Sequence, residues 1–302
     1  MKCLTGLPLA LEVNAPLLEE RRENSGLRLQ GLARWTERLA WRGADICLPV
    51  TRVLARELEA EGVPPQRIEV VPNGVGAAFL DGNAKSESIR EQLGLRDKLI
   101  LGFTGFVRSW HGMDRAISLL ADGHLPENAH LLMVGDGPAL PELKAQAERL
   151  GVAEKVTFTG VAQRDEIPAL VAAFDIALQP YVVPYASPLK LFEYLALARA
   201  VVAPATANIL EVLTHGEDAL LFDSEDPEAF STAIVQLAGD ARLRERIGEA
   251  GRQTLQQKDL TWCRNAKRVV QFLIAAKPGK HAVRAVPNRV PTPATPSIPA
   301  RE

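Results

Sequence analysis

Cysteine is scarce in this chain of 302 residues: Cys3, Cys47 and Cys263 are scattered, without the spacing of metal ligands. They read as reduced thiols of a cytosolic protein, and no zinc site or disulfide framework can be built from them. An excess of one charge is also lacking. Thirty-five Lys and Arg against 37 Asp and Glu leave a net charge of −2, which argues against a nucleic-acid footprint. No apolar run is long enough to span a bilayer. The apolar stretch after Lys2 is short, ends at Glu12 without a convincing cleavage site, and reads as a buried strand. There is no D-x-D pair to hold a metal at a diphosphate, so no metal and no further cofactor is expected.

What remains is ordinary: 24% charged and 47% hydrophobic residues, enough for one or two cores. Residues 1–43 hold one strand with its exit loop, then one helix, "GLRLQGLARWTERLAWRGA". Two readings of that helix stand side by side. Arg28, Arg34, Arg38 and Arg42 with Trp35 and Trp41 suit an interfacial membrane contact, whereas Leu32, Trp35 and Leu39 have core-facing spacing. Residues 44–94 give a strand at 44–50, a helix from the cap Thr51, a strand ending at the Pro72-Asn73-Gly74 turn, and a polar linker with a short helix at 86–93.

Over 95–240 six further strands are expected: 98–106, 129–137, 155–160, 175–181, 200–204 and 219–223. Helices at 112–121, 138–150, 164–173, 188–198, 208–213 and 227–238 separate them. Strands apolar on both faces that alternate with helices mean a parallel sheet covered on both sides, an α/β Rossmann-like doubly wound fold. Two charged helices fill 241–276. The proline-rich end, 277–302, is expected to be disordered.

The segment "SPLKLFEYLALARA", 187–200, organises the rest. Ser187 suits an N-cap and Pro188 the first helical position. The helix is apolar on most of its surface, yet carries Lys190 and Glu193 three residues apart on one face. An internal ion pair on a solvated edge explains them without a ligand. A ligand site explains them otherwise: helix N–H groups and Lys190 for an anion, Glu193 for hydroxyl groups. A sugar nucleotide has both parts. Such sheets bind ligands beyond the carboxyl ends of their strands. The loops there carry Gly105, Arg108, His111 and Gly112 in "GFVRSWHG", Gly135 in "GDGP", and Val161 after Gly160. Taken singly, "GDGP" reads as a turn and His111 as a capping residue.

Five stretches in order resemble the nucleotide-sugar-binding half of family 4 glycosyltransferases of the GT-B fold: "ADICLPVTRVLARELEAEGVPPQRIEVVPNGV", "GFTGFVRSWHGMDRAI", "VGDGPALPELKAQAERLGVAEKVTFTGV", "SPLKLFEYLALARAVVAP" and "EVLTHGEDALLF". The resemblance spans about residues 44–225. It implies retaining transfer of a hexose from a nucleotide sugar to a hydroxyl acceptor, glycan or lipid-linked. It makes Glu193 the ribose ligand and places Ser187, Pro188, Leu189 and Lys190 near the diphosphate. Gly135 and Val161 would line the base pocket, and Gly105 to Gly112 would approach the phosphates. Arg108, Lys190 and Glu193 would carry catalysis. The resemblance also implies cytoplasmic work, at the inner face of the membrane where the acceptor is lipid-linked.

Three departures from the family pattern stand out. The first glutamate of its pair falls at Tyr185, its loop arginine at Phe106 and its loop lysine at His111, with Arg108 the nearest substitute. Residues 1–43 look like the remnant of a first, acceptor-binding domain. On that reading the chain supplies the donor domain, has little activity alone, and needs a missing domain as partner. A non-catalytic nucleotide-sugar-binding fragment, one half of a split enzyme, and a sugar-nucleotide epimerase of the same fold are the other readings.

Overall fold

The computed structural model describes residues 7–18, 20, 29–81 and 86–275. The tail expected to be disordered lies outside these, as does Arg28. A small unit opens the chain. β1 (Ala10–Val13) and β2 (Ile46–Pro49) pair in parallel, with Ala10 opposite Ile46 and Val13 opposite Pro49. α1 (Gln30–Gly43) connects them and α2 (Arg52–Ala60) follows. Thr51 caps α2 as expected, accepting the Leu54 N–H at 3.2 Å. The small sheet therefore joins residues on both sides of the division drawn at 43/44.

The apolar spacing of α1 does not face the core. Leu32, Trp35 and Leu39 are exposed, Trp35 by 60%. Trp41, on another side of the helix, packs instead with Val13, Cys47, Leu58 and Val63. Arg38 forms an ion pair with Glu61, and Arg42 donates to the Glu61 carbonyl. These contacts turn the arginine edge toward the end of α2. The strand expected at 67–75 forms only an isolated bridge, Ile68 to Cys47. The Glu69 and Val71 N–H groups still donate to β2 carbonyls, but the next donor in that alternation, the Asn73 N–H, goes to Ser187 Oγ instead.

After α3 (Ser86–Gln92) comes the main sheet. Its strands are β3 (Leu99–Thr104), β4 (Ala129–Val134), β5 (Val156–Phe158), β6 (Ile176–Leu178), β7 (Ala200–Pro204) and β8 (Leu220–Phe222). All pair in parallel in the order β5-β4-β3-β6-β7-β8. The helices between them are α4 (Met113–Ala121), α5 (Leu140–Arg149), α6 (Ile167–Ala172), α7 (Leu189–Ala196), α8 (Ala207–Leu210) and α9 (Ala229–Gly239). α10 (Ala241–Gln257) and α11 (Trp262–Ala275) complete the described chain. The expected six-strand α/β architecture is present.

Alternation along the strands feeds two separate cores. Leu101, Phe103, Leu131 and Met133 join α4, α5 and α9 on one face. Ile100, Leu132 and Val201 join Phe174, Phe192, Tyr194 and Leu195 on the other. α7 is thus pressed against the sheet, which fixes where its first turn emerges.

Candidate active site

The sheet order reverses between β3 and β6. Chain leaving these neighbouring strands goes to opposite sides, which opens a crevice at their carboxyl ends. Two loops line it: 105–112 after β3, and 179–188 after β6, which leads into α7.

Lys190 is where the two meet. A Cβ placed on Gly105 would stand 3.1 Å from Lys190 Nζ, and Gly105 has φ 129°, a conformation side chains rarely adopt. The ammonium lies over the Phe103 ring, 3.7 Å from its centroid. Burial pushes the Lys190 pKa down to about 7, against the opposing pull of Glu193. Glu193 is shifted up by burial, with Lys190 opposing. The two charges feel each other, yet no salt bridge between them closes, and the Glu193 carboxylate accepts no hydrogen bond among the described residues. The internal ion pair is therefore not what holds these groups.

His111 Nδ1 accepts the Arg108 backbone N–H at 3.0 Å. The neutral ring then carries its proton on Nε2. Burial first, then Lys190 and Arg108, push its pKa down to about 4. His111 accordingly offers a hydrogen-bond donor and no charge at neutral pH. Its ring packs against Phe103, centroids 5.3 Å apart. Gly112, at φ 69°, turns the chain into α4.

Arg108 sits further out. Its guanidinium lies over Trp110 and Phe106, 4.6 and 5.1 Å from the ring centroids, at the exposed rim. Gly135 and Gly160 form an isolated bridge, the Gly135 N–H donating to Gly160 at 3.0 Å. A Cβ on Gly135 would come 2.1 Å from the Gly105 carbonyl oxygen. The loops after β3, β4 and β5 are thereby stacked, and Val161 projects beyond them, 79% exposed.

The entry to α7 differs from the expected one. The helix begins at Leu189, half exposed, with Pro188 at the N-cap and no side-chain cap. Ser187 is buried, and its Oγ accepts the Asn73 N–H at 3.1 Å. The Pro72-Asn73-Gly74 turn reaches the serine first, so the hydroxyl is not free to cap the helix. The Tyr185 carbonyl accepts from Thr51 Oγ1 at 2.9 Å.

One positioning contact was hidden in the sequence. The Tyr194 hydroxyl accepts the Thr104 N–H at 3.0 Å, pinning α7 to the end of β3. In "LFEYLAL" this tyrosine reads as one more apolar residue; its hydroxyl was the only signal.

Chemically, Lys190, the His111 Nε2–H and the α7 N-terminus can meet an anion, and the neighbouring Glu193 carboxylate can accept hydrogen bonds from hydroxyl groups. Among the described residues, no three His, Cys, Asp or Glu side chains gather to hold a metal ion. No described helix is long and apolar enough to cross a membrane.

A parallel sheet of this order, with its crevice at the reversal, is the α/β architecture of GT-B structures. The solved structure of Anabaena Alr3699/HepE with UDP and glucose superposes with a TM-score of 0.77 at 20% identity, covering 91% of this chain and 73% of that one. Sucrose-phosphate synthase from Thermosynechococcus elongatus gives 0.73 at 19% identity, covering 88% and 68%. The family model "Glycosyl transferases group 1" matches residues 98–240, and "Glycosyl transferase 4-like domain" matches residues 1–74. Both matched models are of glycosyl transferases, and together they take in most of the chain. It is 22% identical over 255 residues to alpha-D-kanosaminyltransferase of Streptomyces kanamyceticus, covering 82% of this chain and 66% of that protein. It is 28% identical over 291 residues to D-inositol 3-phosphate glycosyltransferase of Thermomonospora curvata, covering 90% and 65%. The chain spans just under two thirds of the length of these two relatives.

Proposed function

We propose that this chain holds the donor site of a retaining, family 4 glycosyltransferase that moves a hexose from a nucleotide sugar to a hydroxyl acceptor on a glycan or lipid carrier. The observation that carries the reading is Lys190 on the first turn of α7, close to Gly105 and His111 at the sheet reversal, with the Glu193 carboxylate three residues further along the helix. The neighbouring Alr3699/HepE structures contain UDP or UDP-glucose. A mycobacterial relative bears the name of a GDP-mannose-dependent mannosyltransferase. Both point to a diphosphate ligand and leave the base open.

In this reading Lys190 and the His111 Nε2–H bind the diphosphate, and Glu193 accepts hydrogen bonds from the ribose diol. As the glycosidic bond breaks, charge grows on the leaving diphosphate. Lys190, Arg108 and the helix N–H groups meet that charge, with no metal ion among them. Gly135 and Val161 border the base.

The test is calorimetric binding of UDP and GDP, then transfer assays with the sugar forms of the tighter binder. Binding with turnover supports the enzyme. Binding without turnover supports a nucleotide-sugar-binding component. No nucleotide binding by folded protein removes the donor site altogether.

A further inference from the structure

Residues far from α7 in sequence determine how it begins. Asn73 grips Ser187 twice: its backbone N–H donates to Ser187 Oγ at 3.1 Å, and its Nδ2 donates to the Ser187 carbonyl at 2.6 Å. Ser187 lies three residues before Lys190. α7 has no side-chain cap of its own; this pair of hydrogen bonds anchors the chain at Ser187, while Thr51 and Asn208 hold the Tyr185 and Ala186 carbonyls just before it.

The turn that carries Asn73 is itself held from a third direction. Asn265 Nδ2, on α11, donates to the Pro72 carbonyl at 2.6 Å. The Val75 N–H donates to the Leu260 carbonyl, and the Trp262 N–H to Val75. A Cβ on Gly74 would come 2.7 Å from the Thr261 carbonyl carbon, so the two strands of chain lie in direct contact. The passage out of the small unit and the approach to α11 therefore converge on one point, and Asn73 conveys that point to α7.

We propose that Asn73 is a positioning residue of the donor site, acting through Ser187 to set the entry of α7 and so the placement of Lys190 and Glu193. The inference rests on the donor-site reading above. Among the described residues, Asn73 forms hydrogen bonds with Ser187 and with no other candidate ligand-binding residue. Removing its carboxamide leaves the Ser187 carbonyl without its partner and loosens the chain at Ser187, directly before α7, although Thr51 and Asn208 still hold Tyr185 and Ala186. An aspartate of the same shape is worse, because its oxygen would face the carbonyl oxygen.

The test compares Asn73→Asp and Asn73→Ala with Asn265→Ala and Glu193→Gln, all in the full chain. UDP and GDP serve as calorimetric probes well below each variant's Tm, with hydrogen exchange of unliganded protein as a second readout. The expected result is about tenfold weaker nucleotide binding for Asn73→Asp, with faster exchange confined to residues 185–191. Asn265→Ala breaks another bond of the same turn, so it should lower Tm and leave the affinity of the folded protein nearly intact. A general structural role would make affinity track Tm across both asparagines, and that pattern overturns the proposal. Unchanged affinity and exchange in Asn73→Asp overturn it as well. If Asn73→Asp does not fold, Asn73→Ala carries the same comparison. Failure of Asn73 alone, with Glu193→Gln still impaired, leaves the donor site standing; no nucleotide binding by the parent chain removes both.

Discussion

The Lys190 ammonium rests 3.7 Å from the centre of the Phe103 ring, so this half-buried cation lies against an aromatic face and, among the described residues, makes no hydrogen bond to a carboxylate. This makes its charge easy to lose. Burial lowers its pKa to about 7, well below the unfolded value. Between those two values the unfolded chain binds more protons than the folded one, so this group makes the unliganded protein more stable as pH rises from about 7 toward 10. Below pH 7 both states are charged and its contribution is flat. An anion pulls the other way, favouring protonated lysine. Affinity for a nucleoside diphosphate should therefore fall as pH rises from 7 to 9, with proton uptake on binding. Calorimetry in buffers of different ionisation enthalpy measures both. Lys190→Met should bind weakly and without this slope. His111, with its pKa near 4, stays neutral throughout and does not blur the result.

Glu193 should dominate recognition of the ribose. A carboxylate bonded to hydroxyl groups contributes roughly 1.5–3 kcal/mol. Glu193→Gln keeps the volume and should weaken nucleotide binding about ten- to a hundredfold. Equal affinity in the variant and parent would exclude Glu193 from the site.

Nucleotide binding should survive EDTA. The expectation rests on Lys190, Arg108 and the His111 Nε2–H, the groups proposed above to meet the phosphates. Loss of binding in EDTA, restored by magnesium, would show that a metal ion supplies part of the charge.

Two substitutions test the framework beneath the site. Tyr194→Phe deletes the acceptor of the Thr104 N–H, which is buried. It should cost about 1–3 kcal/mol of stability, read as a lower urea midpoint with unchanged slope. Gly135→Ala forces a Cβ to within 2.1 Å of the Gly105 carbonyl oxygen at φ 129°. Backbone strain of this kind costs about 1–3 kcal/mol before the clash is counted. The Gly105 loop must then move, so affinity should fall together with Tm.

Much of the large sheet was legible because its strands are continuous apolar runs and its helices are well separated. Lys190 and Glu193 stood out as charges within an apolar helix, and the structure brings them to the crevice. The failures have particular causes. The 67–75 run has strand-like residues, but its next ladder donor, the Asn73 N–H, is taken by Ser187. Leu32, Trp35 and Leu39 have core spacing, yet periodicity cannot say whether anything lies opposite. Ser187 had the right type and place for an N-cap, and lost that role to Asn73, 114 positions away. Such long-range hydrogen bonds leave no periodic trace, so the Asn73 and Tyr194 contacts could not be read from residue spacing.

The loop before α7 is moored at places scattered through the chain. Thr51 holds the Tyr185 carbonyl, Asn73 holds Ser187, and Asn208 Nδ2 donates to the carbonyls of Val183 and Ala186. A transplant of residues 95–240 into a related protein would bring Asn208 with it and leave Thr51 and Asn73 behind. Such a hybrid would inherit the pocket's side chains and lose two of its moorings. Specificity exchanged by that route would arrive with a slackened α7 entry, unless the host supplies equivalents of Thr51 and Asn73. The natural unit of exchange is thus larger than the sheet.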